Sequence, residues 1–171
     1  MDCKIIVREK KEKDDDQIEN ILNKNFGENR HQRTVYLYRK KSPIKGLSLV
    51  SCLNEDPNTV IGTITFYRTL VSNINCLLLG PLAVIDLFQG KGFGKILVRK
   101  GLEIAETNNE TICFVSGKYN YYKEFDFFKL SSKNLIIHTP GDLTYGELLV
   151  KELKKDCINL LPLNAQLLPE K

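Results

Sequence analysis

Along this chain the spacing of apolar residues changes period several times, and each change marks an element boundary. Residues 4–8 read as a short first strand, closed by the charge-rich run 9–16. Asp14, Asp15 and Asp16 then open a helix, where carboxylates suit the positive end of the dipole. Ile18, Ile21, Leu22 and Phe26 give that helix one apolar face, and Gly27 supplies a stop. Residues 28–46 are polar around Tyr36, Leu37 and Tyr38 and leave room for a second, short helix. Residues 47–53 alternate, residues 54–58 are dense in turn formers, and 60–70 alternate again, which predicts a hairpin.

Residues 76–85 are almost wholly apolar, as in a central strand covered on both faces. Pro81 has no N–H to give to a ladder, so that strand is expected to break or bulge near Gly80-Pro81. Residues 94–107 then take helical spacing, with Leu97, Val98, Gly101, Leu102 and Ala105 on one side. Further strands are predicted at 111–115, 134–137 and 147–153, and a short helix at 120–125. The last stretch, 159–171, has two prolines and little pattern, and reads as a tail beyond a core of residues 4–155. The pattern is that of one mixed α/β (α+β) domain.

At 171 residues, with 42% hydrophobic and 27% charged positions, the chain is an ordinary globular size and composition. No apolar run approaches the roughly 20 residues that span a bilayer, and the first residues lack a secretory layout. Five scattered cysteines without a CxxC pair, and two histidines, argue against a disulfide framework and against a metal site. These features predict a cytoplasmic protein without metal. The net charge of +4 is spread along the chain, which argues against nucleic acid as a partner but would help draw in a polyanionic ligand.

The chemistry is concentrated in residues 77–106, where a buried strand enters a glycine-rich loop and the loop enters an amphipathic helix. Gly90, Gly92 and Gly94 let the backbone turn tightly, and a helix N-terminus offers unpaired N–H groups to phosphate. A dinucleotide fingerprint beginning at Gly90 fails at Lys95, and a Walker loop fails at Gln89 and Ile96. The pattern Q/R-x-x-G-x-G/A is met in full by Gln89-Gly90-Lys91-Gly92-Phe93-Gly94. That segment resembles the pyrophosphate-binding motif of the GNAT acetyltransferases. Tyr121-Tyr-Lys-Glu-Phe-Asp-Phe127 is similar to a second family segment, and with Gly117 and residues 79–84 the whole looks most like the YhbS-like subgroup. Asp126 stands where the family usually has glycine, and no asparagine other than Asn120 is at hand for a family contact to coenzyme A.

The resemblance implies a single-domain GNAT-like fold, with a mixed, mostly antiparallel sheet of about six to seven strands and helices on both faces. It implies acetyl-CoA as cosubstrate, the acetyl group against Leu82, Ala83 and Val84, and the pyrophosphate on Gln89, Gly90, Lys91, Gly92, Phe93, Gly94 and Lys95. Tyr122 aligns with the acid that protonates the leaving thiolate, while Tyr119 and Tyr121 read as half-buried aromatics. The activity implied is N-acetyl transfer to a primary amine by direct attack; a non-catalytic acyl-CoA-binding or regulatory domain is the alternative. No general base is nominated: the strand before the loop has no acid, Glu55 and Asp56 fall in a turn, and a lone His138 suits structure better than catalysis. Cys76 and Cys113 sit in apolar strands as small hydrophobes. The acceptor, a small-molecule or peptide amine, would lie against residues 28–46 and 138–146; monomer and homodimer both stay open.

Overall fold

The computed structural model describes residues 4–32, 34–140 and 146–171. Nine strands are found among them: β1 (Ile5–Glu9), β2 (Ser48–Leu53), β3 (Asp56–Val71), β4 (Ile74–Val84), β5 (Ile112–Gly117), β6 (Phe128–Lys129), β7 (Ile136–His138), β8 (Glu147–Glu152) and β9 (Asn164–Pro169). Three α-helices accompany them: α1 (Asp15–Phe26), α2 (Phe93–Thr107) and the short α3 (Tyr119–Tyr122). The sheet runs β1-β2-β3-β4-β5-β8-β6, with β9 beside the far end of β3 and β7 beside β9. Only β4–β5 and β7–β9 are parallel; every other described pair is antiparallel.

Successive residues of a strand point to opposite faces, and this sorts the core into layers. Leu49, Leu77, Leu79, Cys113, Val115 and Leu149 meet Leu97, Val98, Leu102 and Ala105 of α2. Val50, Cys52 and Ala83 take the apolar stripe of α1, namely Ile18, Ile21 and Leu22. Helices therefore cover both faces. Helix α2 lies very close to the sheet, since a Cβ on Gly101 would stand 2.5 Å from a ring carbon of the fully buried Phe66.

Three sequence expectations change. The aspartate run does not act as one: Asp15 and Asp16 occupy the first turn of α1, but Asp14 is buried and grips Arg8 by two hydrogen bonds of 2.7 and 2.9 Å. That guanidinium, with the Lys11 N–H, holds the Asp14 carboxyl well down, to about 2. Residues 28–46 hold two short 3-10 helices, Glu28–Gln32 and Thr34–Arg39, where room for one short helix was expected. The expected tail is structural: β9 pairs with β3 through Val71↔Leu167 and with β7 through Ile137↔Ala165, burying Leu167 completely. Two prolines bounding a strand of six residues hid it from pattern reading.

Candidate active site

The break in β4 falls where the proline required it. Across β3, Ile64 faces Leu82 and Phe66 faces Leu79, so Thr65 alone opposes both Gly80 and Pro81. This is a bulge, and the Gly80-Pro81 peptide within it is cis. The extra residue returns Leu82 to the α2 side, next to Leu79 in the pattern. On its other edge β4 pairs with β5 only through Leu77↔Cys113, Leu78↔Phe114 and Leu79↔Val115. Beyond Leu79 and Val115 the two parallel strands separate and a cleft opens between them.

Two adjoining cavities occupy the cleft and its mouth. The larger, of about 390 Å³, is lined by the bulge itself, by Val115 to Lys118 as β5 departs, and by Tyr122, Phe26, Val35, Arg39 and Gly146. The smaller, of about 240 Å³, lies at the N-terminus of α2 and is lined by Leu82, Ala83, Val84, Gln89, Gly90, Gly92, Gly94 and Lys95, with Asn25, Phe88 and Tyr121. Leu82 borders both.

The smaller cavity is a backbone device. Gly90 and Gly92 have φ of +72° and +87°, values that only glycine adopts cheaply, and nothing stands within 4 Å of where their Cβ atoms would be. Gly92 is the N-cap of α2, and no side chain caps the turn. The first amide to bond back is Ile96, 3.1 Å from the Gly92 carbonyl, so the preceding N–H groups are presented outward. Such an end favours an anion. The residues present thus fit the diphosphate of a coenzyme A thioester.

Of the residues the motif singled out, two do not face this cavity. Phe93 is buried, packing with Ile61 and Val84 and meeting Phe88 edge-on at 5.2 Å. Lys91 lays its ammonium over the Phe88 ring, 5.3 Å from the centroid. Lys95 does line the cavity, but its ammonium is held by Glu124 at 3.0 Å. Gln89 works inward. Its amide donates to the Val84 carbonyl at 2.9 Å, to Asp86 at 3.0 Å and to Asn25 at 3.2 Å, while Asn25 also donates to Val84 at 3.3 Å. The loop is therefore tied to the end of β4 and to the last turn of α1, with Asn25 as a participant the motif did not reveal.

The two tyrosines each depend on a glycine. Tyr122 lines the larger cavity and is buried; a Cβ on Gly117 would lie 2.4 Å from its ring. Phe127 and Tyr121 flank it edge-on, with centroids 5.6 and 4.9 Å away. Burial pushes its phenol pKa well above the ordinary value. Tyr121, read from sequence as a bystander, sets its hydroxyl against Gly94, where a Cβ would come within 2.9 Å, and lines the diphosphate cavity. Asp126 takes the left-handed conformation at φ +61° that ends this turn, so the aspartate does the glycine's conformational task.

Other candidates fall away from the cleft. Asn120 is exposed and lines neither cavity. His138 is exposed on β7 and bonds Asn164 at 3.1 Å. Glu55 and Asp56 are exposed. Cys52, Cys76, Cys113 and Cys157 are free and buried; burial raises the Cys76 thiol to about 12 and Cys113 well above its usual value. Cys3 lies outside the described residues. Of the segments expected on the acceptor side, Val35, Arg39 and Gly146 line the larger cavity, whereas residues 33 and 141–145 lie outside the described residues. Among the described residues no cluster of His, Cys, Asp or Glu could hold a metal, and no helix is long and apolar enough to cross a membrane.

Arg39 is the group that sequence reasoning missed altogether. Its guanidinium lies 4.8 Å from the Tyr36 ring centroid and 3.1 Å from where a Gly80 Cβ would stand. Burial pushes its pKa down, and its Nε has no hydrogen-bond partner. Ser116, across the cleft, likewise has a buried hydroxyl without a partner.

The fold is shared with proteins already known. The family profile described as "Acetyltransferase (GNAT) family" matches residues 16–127, and the chain belongs to that family. Among solved structures, the fold is similar to that of Escherichia coli YhbS, a GNAT family N-acetyltransferase in complex with CoA, at a TM-score of 0.80 and 23% identity, over 97% of this chain and 91% of that one. A Brucella melitensis GNAT family acetyltransferase in complex with acetyl-CoA aligns at a TM-score of 0.71 and 20% identity, over 98% and 97% of the two chains. Ard1 from Thermoplasma volcanium aligns at 0.64 and 15% identity, over 88% and 99%. No curated protein matches the sequence significantly.

Proposed function

We propose that this chain transfers an acetyl group from acetyl-CoA to the primary amine of an acceptor by direct attack. The observation that carries the reading is the meeting of the two cavities at Leu82, which lines both beside the bulge. A thioester whose diphosphate rests on the α2 terminus reaches the splayed strands with its acyl end. Known neighbours of this fold bind CoA and acetyl-CoA, which supports the same cosubstrate here.

Residues 82–84 would line the acyl group, and N–H groups on the free edge of the splayed strand would donate to its carbonyl oxygen as charge develops there; one such donor is worth about 10²–10³ in rate. Tyr122, its proton retained by burial, would protonate the departing thiolate. The described lining of the larger cavity holds no carboxylate and no histidine, so the acceptor would enter as the neutral amine and lose its proton to water. Four buried thiols without a disulfide suit a reducing compartment, and the reading places the reaction in the cytoplasm.

The test is thermal unfolding with and without acetyl-CoA, on the native chain and on Gly92→Glu. At about 100 times its Kd the ligand adds roughly 2.7 kcal/mol, which for this size is a rise of several degrees. The glutamate places an anion in the cradle and abolishes that rise. It also forces a left-handed φ on a residue with a Cβ, costing about 1–2 kcal/mol, so the ligand-induced shift is compared with the variant's own midpoint. A native chain with no shift at millimolar acetyl-CoA would sink the proposal.

A further inference from the structure

We propose that the acceptor is a small amine that also bears a carboxylate, of the amino-acid type, and that Arg39 binds this carboxylate with Ser116 as a second donor. The inference rests on the transferase reading and concerns the larger cavity of the same site. Its described lining contains two cations, Arg39 and Lys118, and no acid. A polyamine or an aminoglycoside brings positive charge that this lining repels, whereas an anionic group finds complementary potential.

Arg39 is also the exception among the arginines of the interior. Arg8 is forked onto Asp14, Arg68 onto Glu110 with two bonds of 2.6 Å, and Arg30 is paired with Glu19. Among the described residues Arg39 has no acid, and its polar neighbours are Tyr36 and Tyr67. A half-buried guanidinium left without an anion is costly, and an incoming carboxylate offsets that cost through paired N–H donors. Ser116 brings a hydroxyl that is equally unsatisfied in the same cavity. Because Arg39 abuts Gly80, a carboxylate held there sets the nearby amine beside the bulge. The cavity of about 390 Å³ must also admit the acyl end, which limits the acceptor to a small molecule.

The experiment measures CoA thiol release with the α-amino acids, β-alanine and 4-aminobutyrate, each beside its own carboxamide, and with spermidine and tyramine. The best carboxylate-bearing acceptor is expected to exceed its carboxamide by about 10- to 100-fold in kcat/KM, chiefly through KM. Arg39→Gln brings that ratio close to one, and Arg39→Lys, which keeps the charge without the planar fork, restores part of it. Ratios between matched acceptors within one variant are insensitive to a general loss of folded protein. Equal or better turnover of carboxamides or spermidine overturns the inference, as does a ratio unmoved in Arg39→Gln. A panel with no carboxylate-bearing acceptor, on a protein that acetyl-CoA still stabilises, also overturns it while leaving the transferase reading intact; absence of that stabilisation strikes the transferase reading itself.

Discussion

The two cavities are built on different principles. The smaller cavity, proposed as the diphosphate cradle, is mostly backbone, drawn largely from one stretch of chain between Leu82 and Lys95, and what it offers a ligand is glycine conformations and a helix end. The larger cavity, proposed to take the acceptor, is mostly side chain, assembled from α1, the turn Thr34–Arg39, β4, β5, α3 and the approach to β8. Recognition by backbone tolerates wide sequence change as long as the glycines stay, whereas recognition by side chains changes with each substitution. The first suits a cosubstrate common to a family and the second an acceptor peculiar to one member.

Substitutions in each region sharpen that division. The largest effect is expected for Tyr122→Phe, which removes the proposed proton donor to the thiolate: kcat falls by about 10²–10⁴ while the acetyl-CoA stabilisation persists. Because burial raises the Tyr122 pKa above a phenol's ordinary value of 10.0, its protonated form survives through the alkaline range, and the kcat–pH profile should rise to a plateau without a descending limb below that value. A descending limb near pH 8 would assign the acid elsewhere. Gly117→Ala drives a methyl to within 2.4 Å of the same ring, which Phe127 and Tyr121 flank edge-on. A loss of about 3 kcal/mol is expected, lowering the midpoint by roughly 2–4 °C per kcal/mol.

Outside both cavities, Asp14→Asn is the control for stability without chemistry. The folded carboxyl is held at about 2 against an ordinary 3.8, so its contribution is present above the ordinary value and lost as pH falls from there toward 2. The variant loses about 2 kcal/mol at neutral pH and unfolds with a flatter acid limb, while kinetics per folded molecule are unchanged. The smallest effect is assigned to Gln89→Ala, which frees the loop from Val84 and α1: acetyl-CoA affinity weakens about 2- to 10-fold in a titration with little change in kcat.

The cradle was legible in the sequence for the reason that makes it general. A buried strand, three glycines and a helix are local, and their spacing expresses backbone geometry directly. The bulge was legible too, because a proline cannot join a ladder whatever surrounds it. Side-chain direction was not. Gln89 sits in the motif yet turns inward, Lys91 lies on Phe88, and Tyr121 faces the cleft, because packing decides these orientations after the backbone is set. Arg39 was invisible for a stronger reason: it matters through lacking an acid partner, a property of three-dimensional surroundings, and its own segment has no periodicity. Strand β9 was missed because partners distant in the chain, not its own six residues, make it a strand.

The hydroxyl of Tyr38, next to Arg39, donates to the Leu167 carbonyl in β9 at 2.6 Å. The residues lining the smaller cavity, the last of them Tyr121, are all added to the growing chain before Leu167. The tie that seats the turn bearing Arg39 arrives only with β9. A chain arrested before β9 would thus contain every residue of that cavity while the turn bearing Arg39 still lacked its tie to Leu167.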